Sequence, residues 1–142
     1  MSSARATRSR TQACGSVEAA AKLRRAEQFV EVARLIVDEA EPDPDWVSAA
    51  AALTVLAGIS ASDAACCRAL GLRSRGLDHH DAEALLQQIE PRGRQAAVAM
   101  RRLIALKDDA HYGFYTVSKQ SQAAALRQAG KLIEFAHEVL LR

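Results

Sequence analysis

Aromatic residues are scarce in this chain: one Trp, two Tyr and three Phe among 142 residues. Rings cannot fill its interior, so a core must be assembled from Ala, Leu, Val and Ile, which dominate the 49% hydrophobic fraction. Alanine is the best helix former, and its small side chain lets neighbouring helices approach closely. Helix breakers are few, with three prolines and seven glycines. Alternating β-branched runs bounded by turn residues are missing, which excludes a sheet-based fold. A chain of this length is expected to form one domain with a sizeable core.

Also missing from this reading is an apolar stretch able to span a bilayer, so no membrane is expected among the partners. Met1 to Gly15, rich in Ser, Arg, Thr and Ala, lacks the apolar middle of a secretion signal. Its acid-free, Arg- and Ser-rich composition is shared by organelle transit peptides. Poor amphipathicity favours instead a disordered basic tail over residues 1–15, ahead of a helical domain over 16–142. The cysteines are Cys14, Cys66 and Cys67. An odd count, two of them adjacent, and no C-x-x-C or Cys/His zinc spacing point to reduced thiols in a cytoplasmic protein, with no metal or cofactor. The net charge of +2 hides an asymmetry. Arg5, Arg8 and Arg10 in the tail account for more than the whole excess, so the remainder is slightly acidic. Contact with nucleic acid would need a local patch or the tail itself.

What is present is helical spacing. A first helix is expected from Ser16, as N-cap, to about Ala40. Leu23, Ala26, Val30, Ala33, Val37 and Ala40 form its stripe, and Phe29, Val32 and Ile36 widen it, as suits a helix with more than one neighbour. Glu41-Pro42-Asp43-Pro44-Asp45 breaks the pattern. Asp43 as cap with Pro44 at the first helical position restarts it. The second helix carries Trp46, Ala49, Ala50, Leu53, Ala57, Ala61 and Ala64 in register. Gly58 permits a close crossing and Gly71 stops it, after about 40 Å at 1.5 Å per residue. Asp78 is expected to cap a third, shorter helix with Ala82, Leu85, Leu86 and Ile89, ended by Glu90-Pro91-Arg92-Gly93. A fourth spans about Gln95 to His111, Tyr112 to Val117 connects, and Ser118 caps the fifth. Ala125, Ala129, Leu132, Ile133, Ala136, Val139 and Leu140 stripe that last helix. The fold class that results is all-α, an up-and-down bundle of about five helices.

Several residues then stand out as candidates for chemistry. Arg68, Arg73 and Arg75 form one acid-free group and Arg92, Arg94, Arg101 and Arg102 another. If their loops share one end of the bundle, they can engage phosphates; otherwise they are ordinary surface charge. Asp38, Glu39, Glu41, Asp43 and Asp45 form an acidic corner that suits a basic partner or simply a solvated turn. His79, His80 and Asp81 do not make a metal site, because adjacent histidines project in different directions and no second ligand cluster accompanies them. His137, near the end of the last helix, is explained by the helix dipole. Most informative is the end of the fourth helix. The line Ala97, Met100, Ile104 continues into Lys107 and His111, so an apolar stripe turns into a lysine and a histidine one turn apart. Lys107 either snorkels to water or lines a cleft that holds an anion. A lysine cation favours neutral His111, and Tyr112 and Tyr115 add hydroxyls or a stacking surface.

Leu103-Ile104-Ala105-Leu106-Lys107-Asp108-Asp109-Ala110-His111-Tyr112 resembles the signature of the HEPN family, the higher-eukaryote and prokaryote nucleotide-binding domains. The alanine-spaced helix from Ser118 to Leu141 is similar to theirs too. So is the stretch Ala64-Ala65-Cys66-Cys67-Arg68-Ala69-Leu70-Gly71 with the loop to Asp78-His79. The resemblance implies an up-and-down bundle that dimerises. It also implies kinship with metal-independent ribonucleases, often toxins paired with antitoxins, in which an arginine holds the phosphate and a histidine, after four to six intervening residues, moves the proton. Here Lys107 takes the arginine's place and only three residues separate it from His111. Lysine lacks arginine's planar bidentate grip. The expectation is therefore a non-catalytic, homodimeric HEPN-like module that binds a nucleotide, RNA or single-stranded DNA. Its site would comprise Lys107, Asp108, His111, Tyr112 and Tyr115, assisted by Arg68, Arg73, Arg75 and Arg102. The alanine- and arginine-rich style resembles an actinobacterial branch associated with DNA repair. The alternatives are a ribonuclease toxin with a relaxed motif, and an adaptor bundle that recognises another protein through an apolar helix face.

Overall fold

The computed structural model of the chain describes residues 10–39, 41, 43–75, 80–112 and 117–142, of which 107–112 through their backbone alone. In chain order the elements are β1 (Thr11–Ala13), α1 (Ser16–Val37), α2 (Pro44–Leu70), β2 (Leu72–Ser74), α3 (His80–Gln87), α4 (Gly93–Tyr112) and α5 (Lys119–Leu140). The expected all-α bundle is the fold observed.

Local chemistry sets most helix ends. Asp43 Oδ1 accepts the N–H of Asp45 at 2.8 Å and Pro44 opens α2, satisfying a donor that the first turn would otherwise leave orphaned. Gly71, at φ +70°, takes the left-handed conformation that closes α2, with its N–H on the Cys67 carbonyl. Ser118 Oγ accepts the N–H of Ser121 at 3.0 Å and starts α5. At α1 the cap is Gly15 rather than Ser16, because the Glu18 carboxylate reaches back to the Gly15 N–H at 3.1 Å. This helix ends at Val37, short of the expected Ala40, and α4 begins at Gly93, two residues before Gln95. Asp78, expected to cap α3, lies outside the described residues, as do Ala40 and residues 113–116 of the expected connection.

The axis of the bundle is α2, with α1, α4 and α5 packed around it and α3 laid against α4. From Ser60 to Cys67 every side chain of α2 is buried. Small side chains allow burial all round: the segment is alanine, serine and cysteine apart from Asp63, whose carboxyl is met by Lys22 and Arg73. By length and composition α2 is in fact apolar enough to cross a membrane, contrary to the expectation from sequence. Yet 78% of its apolar window is buried inside the protein, where bundle neighbours take the place of lipid. Gly58 marks the tightest crossing: a Cβ there would stand 2.3 Å from Leu103 Cδ1 of α4 and 3.3 Å from Leu132 Cδ1 of α5. One turn earlier, Thr54 Oγ1 donates to the Ala50 carbonyl and accepts from Gln122 Nε2 at 3.0 Å, a polar clasp between α2 and α5 in the dry interior. At the start of α2 the expected stripe fails. Trp46 is 62% exposed and Ala49 is exposed, while Val47, Ala50 and Ala51 are buried.

Two expectations about the N-terminal segment are corrected. Residues 10–15, assigned to a disordered tail, are ordered: β1 pairs antiparallel with β2, Thr11 opposite Ser74 and Ala13 opposite Leu72. Reduced thiols were expected, but Cys14 and Cys67 form a disulfide with their Cα atoms 5.1 Å apart. Adjacency in sequence ruled out a Cys66–Cys67 pair, while the third cysteine reaches the helix only through the ribbon. Cys66 stays free and buried.

Candidate functional site

The two arginine groups singled out in the sequence meet in part. Arg68, in the last turn of α2, donates through Nη2 to the main-chain oxygen of Arg142 at 2.5 Å. Arg142 in turn donates through Nη1 to the Glu90 carbonyl, at 2.8 Å, in the turn after α3. The ends of α2, α3 and α5 therefore converge. Between them lies a recess of about 330 Å³ lined by Arg68, Leu70, Gln88, Ile89, Glu90, Val139 and Arg142, two arginines and one acid among them. Each guanidinium has several N–H donors and gives one to this frame, so both can still meet an anion. Close by, Arg92 is paired with Glu138. Arg94, Arg102 and Arg75 are exposed, with no side-chain partner among the described residues. Arg101 pairs with Glu83 of α3 at 3.2 Å.

Arg73 serves another purpose. The ribbon folds back along α2, and Arg73 donates to Gln12 Oε1 at 2.7 Å while standing 4.0 Å from the Asp63 carboxylate. Lys22 of α1 approaches Asp63 from the other side at 3.5 Å. Burial raises the Asp63 carboxyl above its ordinary value, and the two cations pull against that shift without overcoming it. One turn on, burial and then the Asp63 charge push the Cys66 thiol up to about 12. Cys66 is thus held as the thiol at neutral pH, the weakly nucleophilic form. This cluster joins α1, α2 and the ribbon, and its chemistry is structural.

The fourth-helix candidates lie elsewhere. At about 1.5 Å of rise per residue, Lys107 is about 21 Å and His111 about 27 Å along α4 from Gly93. The Val117 N–H donates to Ser48 Oγ at 3.0 Å, which places the start of α5 beside the start of α2. The backbone of Lys107, Asp108, His111 and Tyr112 therefore belongs to the end of the bundle opposite the arginine recess. Their side chains, and Tyr115 altogether, lie outside the described residues. Arg68 and Arg73 are not brought to this stretch, because α2 carries them to the far end. Arg75 follows Arg73 out of the ribbon. Arg102, five residues before Lys107 on the same helix, is the nearest of the expected helpers.

Sequence reasoning missed a groove of about 560 Å³ between α1 and α5, floored by Val30, Leu35, Ile133 and Gly130. A Cβ at Gly130 would meet nothing within 4 Å, so the glycine is a notch in the floor. Part of the signal was in the sequence: Leu35, an apolar residue outside the expected stripe, lines this groove, and Val32, which widens that stripe, lines the hollow beside it. Val32 is 47% and Leu35 69% exposed, so among the described residues the neighbour they call for is missing. Those residues also hold no group of three or more His, Cys, Asp or Glu placed to bind a metal ion. Neither a family model nor a curated protein matches the chain.

Proposed function

We propose that the chain is a non-catalytic, HEPN-like helical module that binds an anionic ligand, a nucleotide or a single-stranded nucleic acid. The observation that supports this reading is the recess at the joined ends of α2, α3 and α5, where Arg68 and Arg142 are held by main-chain oxygens. Arg94, in the first turn of α4, is exposed and free to add a further cation. Guanidinium groups fixed in this way present donors and charge to phosphate with little ordering left to do. The resemblance at Lys107 and His111 suggests a second, separate contact, which a homodimer would pair across two copies.

The test is binding of a labelled single-stranded RNA, a single-stranded DNA and ATP, between about 50 and about 200 mM salt. Affinity should fall steeply with salt, and Arg68→Ala and Arg94→Ala should each weaken it and reduce the salt slope by about one. Absence of salt-sensitive binding to all three probes overturns the proposal. Lys107→Ala with His111→Ala decides whether the α4 end takes part. RNA cleavage in chelator that is lost in His111→Ala replaces the non-catalytic reading with the ribonuclease-toxin one. A cytoplasmic location belongs to the same proposal, and the Cys14–Cys67 bond weighs against it, since that compartment keeps thiols reduced.

A further inference from the structure

The groove between α1 and α5 combines open apolar surface with a rim on which acids outnumber bases. Its floor is aliphatic, and the notch at Gly130 leaves room for an inserted side chain. Its rim carries Glu27, Glu31 and Asp38 from α1 and Glu134 from α5. Against these stand Arg34 and His137, and His137 is already paired with Glu27 across the groove. Leu35 belongs both to this groove and to a neighbouring hollow of about 470 Å³ that contains Val32, Ile36, Glu39 and Trp46. The exposed large apolar residues Val32, Leu35 and Trp46 therefore gather around one place. Just beyond it lies the acidic corner of Asp38, Glu39, Glu41, Asp43 and Asp45.

Isolated exposed apolar residues need no explanation, but a continuous groove rimmed by charge does. The two helices that wall it run side by side, so its long axis suits an elongated ligand. An aliphatic floor needs an apolar stripe, and the acidic rim selects lysine and arginine beside that stripe while repelling acids. We infer that this groove is a docking site for a basic amphipathic helix of a partner protein, with leucine-like side chains over Leu35 and Gly130 and cations against Glu31, Asp38 and Glu134. This surface is distinct from the arginine recess, and the inference does not depend on anion binding there.

Trp46, the only tryptophan of the chain, reports on the adjoining hollow. The probe is a helical peptide of roughly 15 residues with Leu at i, i+3, i+4 and i+7 and Lys on the remaining face. A control peptide keeps the stripe and replaces Lys with Glu. The lysine peptide should shift Trp46 emission to shorter wavelength and bind roughly ten-fold or more tightly than the control, with affinity falling as salt rises. Leu35→Asp and Gly130→Leu, each checked for unchanged helicity, should each cost roughly ten-fold. Equal binding of the two peptides, or lysine-peptide binding indifferent to both substitutions, overturns the inference. So does self-association abolished by Leu35→Asp with no peptide binding, which would assign the groove to a second copy of this chain. A rise in peptide affinity on removing residues 1–9, with no peptide bound to the intact chain, would assign it to the chain's own arginine tail and likewise overturn it.

Discussion

The inner and outer faces of α1 carry the same kind of residue at the same kind of spacing and meet opposite fates. Leu23, Ala26, Val30 and Ala33 face α2 and are buried; Val32 and Leu35 face away and stay open. Helical periodicity states which residues share a face, but not whether anything covers it. The contrast teaches that a stripe wider than one neighbour requires is either a second packing contact within the chain or an offer to something outside it. Here the groove between α1 and α5 leaves the offer standing.

The strongest way to sharpen that contrast is to truncate the same residue type on each side of it. Leu132, 1% exposed between α2 and α5, should cost about 2–5 kcal/mol on Leu132→Ala, from lost burial and the cavity left behind. Leu35→Ala should change stability by less than about 0.5 kcal/mol, because solvent already occupies its surroundings. Chemical denaturation reads both, and comparable losses would mean that the outer face packs against something within the chain. Next in size is the clip that holds the ribbon to α2. Under oxidising conditions Cys14→Ser should lower stability by about 2–4 kcal/mol, since the bond closes a loop across 53 positions of sequence. In reductant the variant and the parent should match. The smallest effect concerns pH at the Asp63 cluster. Its carboxyl is raised in the folded protein, so the protonated form is favoured by folding. The associated stability is present below the ordinary value of 3.8 and is lost as the pH rises through the raised one. Asp63→Asn cannot ionise, so its midpoint relative to the parent should climb as the pH rises through that window. A relative midpoint that falls instead would mean that Lys22 and Arg73 outweigh the burial.

Part of the architecture was legible because it is local. Asp43-Pro44 and Gly71 mark the ends of α2 through chemistry that acts within one turn. Gly58 announced a close crossing, and in the stripe of α5 Ala125, Ala129, Leu132, Ala136 and Val139 are buried while Ile133 and Leu140 are half-buried. The ribbon was illegible because Thr11–Ala13 is too short to show a strand pattern and gains its partner only when α2 turns back on itself at Gly71. The same folding-back creates the Cys14–Cys67 bond and takes Arg73 to Asp63, a residue that drew no attention as a lone acid in an alanine-rich helix. The expected site failed as a single unit for a related reason. Arg68 and Lys107 both looked like helix-end cations, but the ends are opposite ones.

By itself the sequence determined the helices, their caps and the inward faces of four of them, because these depend on spacing and on groups within a few residues of one another. Only the tertiary structure decided which cations share an end, which cysteines pair and which apolar face stays uncovered. Those outcomes depend on the direction in which each helix runs and on which helices it packs against. Both are set by contacts between residues far apart in the chain.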